Sequence, residues 1–362
     1  MMIQSIQLSQ YRNYRELDLS LDPGINIFYG DNAQGKTNIL EAIYLAGTNK
    51  SHRTNRDRDL IAFDAQEAHI KMFICKNGHE DRIDMHLKTG KSKGIAINGI
   101  PIARTSQLLG IVNLVFFSPE DLQIIKNGPA ERRKFIDIEL CQLDKIYLYN
   151  LVNYNKALAQ RNALLKMPNM GLEYMEDMLS VWEQQLEAYG KKVIALREGF
   201  IRQLGELVEE IHNSLSCGKE HLSICYEPDA PKETLGEQLR RGRDRDLKMK
   251  STLTGPHRDD IRFQVNGVDI RKFGSQGQQR TAALSLKMAE IELVKKAVKD
   301  TPVLLLDDVL SELDSKRQNQ LLNRIEGIQT VITCTGLDEF VGKRLPMDRI
   351  FHVQSGRVTR ES

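Results

Sequence analysis

Apolar and polar residues alternate from Ile3 to Phe28, most plainly along Glu16-Leu17-Asp18-Leu19-Ser20-Leu21, and the run Ile25-Asn26-Ile27-Phe28 stops just before a glycine. A period of two predicts half-buried strands. From Thr37 to Leu45 the period changes, and Ile39, Leu40, Ile43 and Tyr44 fall on one face of a helix. Ala68 to Cys75, Arg82 to Leu87 and Gly94 to Ile102 read as further strands, the last turned at Asn98-Gly99, a pair that accepts the positive φ angles of a tight hairpin. A second hairpin is written at Ile261 to Ile270 around Asn266-Gly267, and the two suggest an antiparallel layer beside the sheet begun by the first strands.

Between Pro129 and Ser216 the pattern is helical. Ile136, Leu140, Leu143 and Ile146, then Leu151, Leu158, Leu164 and Leu165, recur near helical spacing, and Pro168 and Gly171 break the run. A second stretch from Tyr174 to Leu215 carries Trp182, Leu186, Val193, Leu196, Ile201, Leu204, Leu207, Val208 and Ile211. An unbroken heptad seam is missing, which favours a compact helical lobe over a long coiled coil.

The chain has 362 residues, 41% hydrophobic and 28% charged, ordinary globular composition with enough apolar material for a sizeable core. A net charge of +2 is too small to imply a nucleic-acid partner, so that question passes to local motifs. The opening Met1-Met2-Ile3-Gln4-Ser5-Ile6-Gln7 lacks the charged start and apolar run of a secretory leader, and no segment has the apolar length of a membrane span; a cytoplasmic location without membrane contact is expected. The cysteines at 75, 141, 217, 225 and 334 form no CxxC pair, which argues for reduced thiols and against a zinc module.

Gly30-Asp31-Asn32-Ala33-Gln34-Gly35-Lys36-Thr37 matches GxxxxGKT between a predicted strand and a predicted helix. The glycines let backbone N–H groups curl around phosphates, and the helix start favours negative charge. In this chemistry Lys36 reaches the β- and γ-phosphates of ATP, and Thr37 ligates Mg²⁺. Pro302-Val303-Leu304-Leu305-Leu306-Asp307-Asp308 reads as a buried parallel strand delivering two acids to a sheet edge, the Walker B pattern. Asp307 is the expected magnesium-shell residue and Asp308 the expected water-polarising acid, with Lys36 completing the catalytic set.

The distance in sequence from Lys36 to Asp307 implies an insertion, and no NKxD motif supports a GTPase. Ser275-Gln276-Gly277-Gln278-Gln279 opens an amphipathic helix that leads into the Walker B strand, the order of the ABC class. Two readings stand for it: an ordinary serine-capped helix, or an anion-binding signature. In ABC ATPases this signature meets the γ-phosphate held by a second subunit, which implies an ATP-dependent homodimer with nucleotide contacts from Ser275, Gln276, Gly277 and Gln278. Ser311-Glu312-Leu313-Asp314 falls where the class has its D-loop.

Over essentially its whole length the chain resembles the RecF family. The resemblance is carried by Tyr11-Arg12-Asn13-Tyr14, the loop from Asn32 to Tyr44, Ser51-His52-Arg53-Thr54, Ser118-Pro119-Glu120-Asp121-Leu122, Glu131 to Asp137, Thr252 to Asp260, Ser275 to Arg280 and Leu305 to Asp314. It implies an α/β head similar to SMC proteins, with an antiparallel β layer and an inserted helical lobe: residues 1–128 and 251–362 as the head, 129–250 as the lobe. It further implies ATP-dependent DNA binding, at single strands and gapped or junction duplex. Partnership with RecR and RecO is implied too, with indirect action on RecA in recombinational repair, replication and SOS induction, and a slow DNA-stimulated ATPase acting as a switch. Membrane transporters resemble the head only; they usually carry LSGGQ, a glutamate after the Walker B aspartate and a histidine after the next strand. Here Asp308 stands at the acid position, and no histidine lies between Gly327 and Phe351. An ABC-type motor and a scaffold that does not hydrolyse ATP are the alternatives. For DNA, Arg240, Arg241, Arg243, Arg245, Lys248 and Lys250 and the group Arg132, Arg133, Lys134 read either as phosphate-contacting surfaces or as solvated faces. His257 and Arg258 read either as nucleotide sensors or as structural residues.

Overall fold

The computed structural model describes residues 1–167, 172–337 and 349–361, so the break expected at Pro168 and Gly171 lies outside the described residues. The chain forms two compact units, Met1–Asp121 with Glu290–Ser362, and Leu122–Ala289.

The first unit is an α/β fold. Among the described residues it holds two six-stranded sheets. In one, Ile25–Tyr29, Thr330–Cys334, Val303–Asp307 and Leu114–Phe117 run parallel side by side; Arg349–Gln354 pairs parallel on the other side of Ile25–Tyr29, and Arg357–Arg360 closes the edge antiparallel. The strands Thr330–Cys334, Val303–Asp307 and Leu114–Phe117 are buried from end to end, which is why the last two read as apolar runs. The other sheet is antiparallel, in the order Tyr14–Ser20, Met2–Tyr11, Glu67–Lys76, His79–Lys88, Gly94–Ile97 and Ile100–Pro101. Asn98 and Gly99, at φ 53° and 81°, turn its last hairpin as the sequence predicts. One apolar cluster joins both sheets to the helix Lys36–Thr48, with Ile3, Ile6 and Met72 from the antiparallel sheet, Ile39, Leu40 and Ile43 from the helix, and Phe28, Leu305 and Val331 from the parallel sheet.

The second unit is built on the helices Pro129–Leu143, Lys145–Leu164 and Leu172–Leu215. The last has 44 residues and is about 66 Å long. The periodicity from Ile136 to Ile146 does not continue through one helix. Asp144 leaves the helical conformation, and its carboxylate accepts from the N–H groups of Ile146 and Tyr147, starting a new helix on which Ile146 is 67% exposed.

Two sequence expectations change here. The strand Leu222–Glu227, inside the region read as helical, pairs antiparallel with Asp260–Val265, setting Asp260 opposite Glu227 and Val265 opposite Leu222. That pairing holds residues 251–289 in the second unit, so the compact division falls after 121 and 289 rather than after 128 and 250. The Asn266-Gly267 hairpin accordingly extends this three-stranded sheet and not the antiparallel layer of the head.

The second unit is also cross-tied by buried arginines. Arg197 donates to Asp137, Asp259, the Pro256 carbonyl and the Tyr147 hydroxyl, and Arg161 donates to Asp246, Glu183 and the Thr252 hydroxyl. Removing one acid partner would leave a buried charge uncompensated, which is strongly destabilising.

Candidate nucleotide-binding site

Strand register brings the site together. Thr333 lies opposite Asp307 on one side and opposite Phe28 on the other, and Cys334 lies opposite Tyr29. The carboxyl edge of the parallel sheet therefore presents Gly30, Thr333 and Asp307 next to one another, where α/β sheets bind ligands.

Gly30 and Gly35 sit at φ 147° and 119°. A Cβ on Gly30 would lie 2.3 Å from the Val353 carbonyl oxygen, and one on Gly35 would lie 2.5 Å from Asn13 Nδ2. Both positions therefore demand glycine, for conformation and for space. The loop is held from two sides. Asn13 Nδ2 donates to the Gln34 carbonyl at 2.9 Å and the Tyr14 hydroxyl to the Gly35 carbonyl at 3.0 Å. Opposite, the Gly356 N–H donates to the Gln34 carbonyl at 3.1 Å and the Ser355 N–H to Gln34 Oε1 at 2.6 Å. Asp31, Asn32 and Ala33 at the crest are exposed, while Gly35 and Lys36 are buried.

Lys36 Nζ donates to the carbonyls of Gly30 and Asp31 at 2.6 and 2.8 Å. Burial lowers its pKa, and the nearby carboxylates of Asp308, Asp307 and Asp31 act against that. Asp307 Oδ1 accepts from Thr37 Oγ1 at 2.9 Å and from Thr333 Oγ1 at 2.7 Å. Burial raises the Asp307 pKa, and these two hydrogen bonds only partly counter it. A hydroxyl and a carboxylate at this distance, both oxygen donors, fit Mg²⁺, which takes one or two protein ligands and fills the rest with water and phosphate. Asp308 follows at φ 52°, its N–H donating to Thr333 Oγ1 at 3.0 Å; Ser311 Oγ donates to its carbonyl at 2.8 Å.

Because the ionised form of Asp307 is disfavoured by burial, the fold gains stability as pH falls through its raised pKa, and at neutral pH the charge subtracts from stability. Asp307→Asn keeps the oxygen that Thr37 and Thr333 donate to and removes that charge. Calorimetry of the substituted protein without nucleotide should show a raised Tm, while Mg²⁺ no longer tightens ATP binding. A fall in Tm would show that the carboxylate is stabilising.

A network behind the loop escapes motif reading. Glu41, on the helix that follows the loop, is fully buried; Arg12 donates to it through Nε and Nη2, both at 2.8 Å, and Ser51 Oγ at 2.6 Å. Burial pushes the Glu41 pKa up, but these bonds hold it below the usual carboxylate range. Arg53 Nη1 donates to Asn38 Oδ1 at 2.9 Å, and Asn38 Nδ2 donates to Asn13 Oδ1 at 2.8 Å. The Tyr11–Tyr14 and Ser51–Thr54 segments are thus bracing for the phosphate loop.

Ser275 and Gln278 form a reciprocal capping box in the second unit. The Gln278 N–H donates to Ser275 Oγ at 3.2 Å and the Ser275 N–H to Gln278 Oε1 at 2.9 Å, leaving Ser275, Gln276 and Gly277 exposed at the start of the helix Gln276–Val298. His257 is structural. Its Nε2 donates to the Thr252 carbonyl at 3.0 Å, its Nδ1 accepts from the Tyr154 hydroxyl at 2.7 Å, and burial lowers its pKa. Arg258 beside it is exposed.

The basic clusters divide. Arg132 is buried in a two-pronged pair with Asp260, Arg133 donates to the Asp259 carbonyl, and Arg243 pairs with Glu183. Arg132 and Arg243 are engaged within the unit, whereas Lys134, Arg240, Arg241, Arg245, Lys248 and Lys250 are exposed. Arg240 and Arg241 approach Glu187 and Glu237, surface pairs of small energetic weight. On the antiparallel sheet Glu67, His69 and His86 place ligand-type atoms within 4.8 Å of one another. The two rings stack within 10° of parallel, so their in-plane lone pairs do not converge on one point, and Lys88 lies 3.1 Å from Glu67.

A glycine-rich loop opening a helix, an Asp-Asp strand end beside it on a parallel sheet, an antiparallel layer and an inserted helical unit bearing a serine-capped signature define an ABC/SMC-type P-loop ATPase head with an insertion. The profile of the RecF/RecN/SMC N-terminal domain matches residues 2–359. The chain is 58% identical over 361 residues to the DNA replication and repair protein RecF of Agathobacter rectalis, covering 99% of each. Its fold superposes on a structure of the recombination mediator protein RecF with ATP, in the RecFOR pathway, with TM-score 0.91 and 34% identity over 99% of this chain and 97% of the other. An Smc head bound to the C-terminal winged-helix domain of ScpA shares the fold at TM-score 0.56 and 18% identity, over 100% of this chain and 98% of the other. The chain belongs to the RecF family.

Proposed function

We propose that this chain is an ATP-switched, DNA-binding repair factor. The observation that carries the reading is the convergence of Lys36, Thr37, Asp307 and Thr333 at the carboxyl edge of the parallel sheet, under a loop braced by Asn13, Tyr14, Ser355 and Gly356. In this reading the backbone of Gly30 to Gly35 cradles the phosphates of ATP and Lys36 turns its ammonium to them. Thr37 and Asp307 hold Mg²⁺, which neutralises phosphate charge when bound. Asp308 polarises the attacking water. Ser275, Gln276, Gly277 and Gln278 of a second copy cover the γ-phosphate, so ATP joins two chains and its hydrolysis parts them. A RecF relative solved with ATP supports the nucleotide assignment.

The DNA half rests on family membership and on the exposed cations Arg240, Arg241, Arg245, Lys248 and Lys250. The ATP-bound dimer binds single-stranded, gapped or junction DNA and works with RecR and RecO, and through them RecA, in recombinational repair, replication restart and SOS induction. Binding to gapped, duplex and single-stranded DNA with ATP, ADP or no nucleotide tests this. Affinity should be highest with ATP and fall with salt, because phosphate contacts release counterions. Charge reversal at Arg245 and Lys248 should lower the salt slope by about 2. Equal affinity in all three nucleotide states would remove the switch, and an unchanged slope would return the cluster to a solvated face.

A further inference from the structure

The signature segment is tied to a buried histidine with no part in the reading above. His212, near the end of the helix Leu172–Leu215, is fully buried, with Nδ1 3.0 Å from Ser285 Oγ and Nε2 3.2 Å from Glu220 Oε2. Ser285 Oγ also donates to the Thr281 carbonyl at 2.8 Å, which fixes its place on the helix Gln276–Val298. The Glu220 carboxylate accepts at Nε2. Nε2 therefore carries the proton that anchors Glu220. The other oxygen of Glu220 accepts from Gln278 Nε2 at 2.9 Å. This fixes the Gln278 amide with Nε2 towards Glu220 and Oε1 towards the Ser275 N–H.

Glu220 itself is set by a tight turn. Its N–H donates to Ser216 Oγ at 3.2 Å and Ser216 Oγ donates to its carbonyl at 3.3 Å, while Cys217 and Gly218 take positive φ. A continuous path of hydrogen bonds thus runs from buried His212 through Glu220 and Gln278 to Ser275.

We infer that His212 and Glu220 are positioning residues for the signature: they lock Gln278 so that Ser275 and the following N–H groups face the γ-phosphate of ATP held by a second copy of this chain. This rests on the reading of Ser275 to Gln278 as the contact to the partner's nucleotide. Neither residue touches nucleotide. Their effect should fall on ATP-driven dimerisation and not on ATP binding to the chain's own loop.

Isosteric substitutions separate positioning from simple packing. In His212→Gln the amide nitrogen falls where Nε2 was and still donates to Glu220; in His212→Asn it falls where Nδ1 was and reaches only Ser285. Both replace the buried ring by a neutral amide, so a role in stability alone would move both alike. Two readouts on the full chain are needed: backbone hydrogen exchange across residues 275–278, and the ATP concentration giving half-maximal dimer by sedimentation. His212→Asn and Glu220→Ala should speed exchange across 275–278 and raise that concentration about tenfold, the loss of one charge-assisted hydrogen bond. His212→Gln should stay within about threefold of the parent chain, and all should bind ATP with parental affinity. Equal exchange in the Asn and Gln variants overturns the inference. If exchange separates them but the parent chain forms no dimer with ATP, the relay stands and the functional reading above falls instead.

Discussion

Lys36→Ala should weaken ATP binding by about 10- to 100-fold, the loss of one hydrogen bond to a charged group at roughly 1.5–3 kcal/mol. Lys36 is buried under the loop, and its ammonium donates to the carbonyls of Gly30 and Asp31, close to where the phosphates enter. No other residue from Gly30 to Thr37 carries a cation, so none can substitute. Dimerisation driven by ATP should disappear with the binding. Titration calorimetry with ATP measures the first effect and sedimentation the second. Unchanged affinity would mean that this loop is not the nucleotide site.

Asp308→Asn should slow hydrolysis by about 10²- to 10⁴-fold, the usual contribution of a positioned acid–base group, and leave ATP binding intact. The backbone makes this substitution a clean one. Asp308 sits at φ 52°, a left-handed conformation that asparagine tolerates as well as aspartate, and the contacts of its N–H and carbonyl with Thr333 and Ser311 do not depend on the side-chain charge. The variant should accumulate as an ATP-bound dimer in sedimentation, with single-turnover hydrolysis nearly abolished. Hydrolysis at the parental rate would take Asp308 out of the chemistry, and loss of ATP binding would make it structural.

The phosphate loop and the Walker B strand were legible because each is local: eight consecutive residues fix the loop, and one apolar run fixes the strand. The Asn98-Gly99 turn was legible for the same reason. What stayed hidden depends on register between distant segments. Thr333 reaches Asp307 only because Thr330–Cys334 lies between Ile25–Tyr29 and Val303–Asp307. Asn13 and Tyr14 stood out by resemblance alone, and their physical task, gripping the carbonyls of Gln34 and Gly35, appears only when the first hairpin folds against the loop. Nothing in the local pattern marks Glu41, a buried acid answered by Arg12 and Ser51. The compact division falls at 289 and not at 250 for one reason: Leu222–Glu227 is a short strand that declares itself only by pairing with Asp260–Val265. Charge runs misled in the same manner. Arg132 and Arg243 look like their exposed neighbours in sequence, but Asp260 and Glu183 claim them.

The central claim is that two chains share each nucleotide site, one giving the phosphate loop and the other the signature. Ser275 is exposed at the head of its helix, so Ser275→Arg adds bulk where the partner's phosphate must dock and leaves Lys36 and its loop untouched. Neither Ser275→Arg nor Lys36→Ala alone should hydrolyse ATP, since every pair of identical chains lacks one half of both sites. Mixed in equal amounts, they form some dimers with one intact composite site, the loop of the first variant facing the signature of the second. ATPase activity measured on the mixture should recover in part, since each mixed dimer has one intact site of two. No recovery from two folded variants, or normal hydrolysis by Ser275→Arg as a monomer, would contradict the shared site.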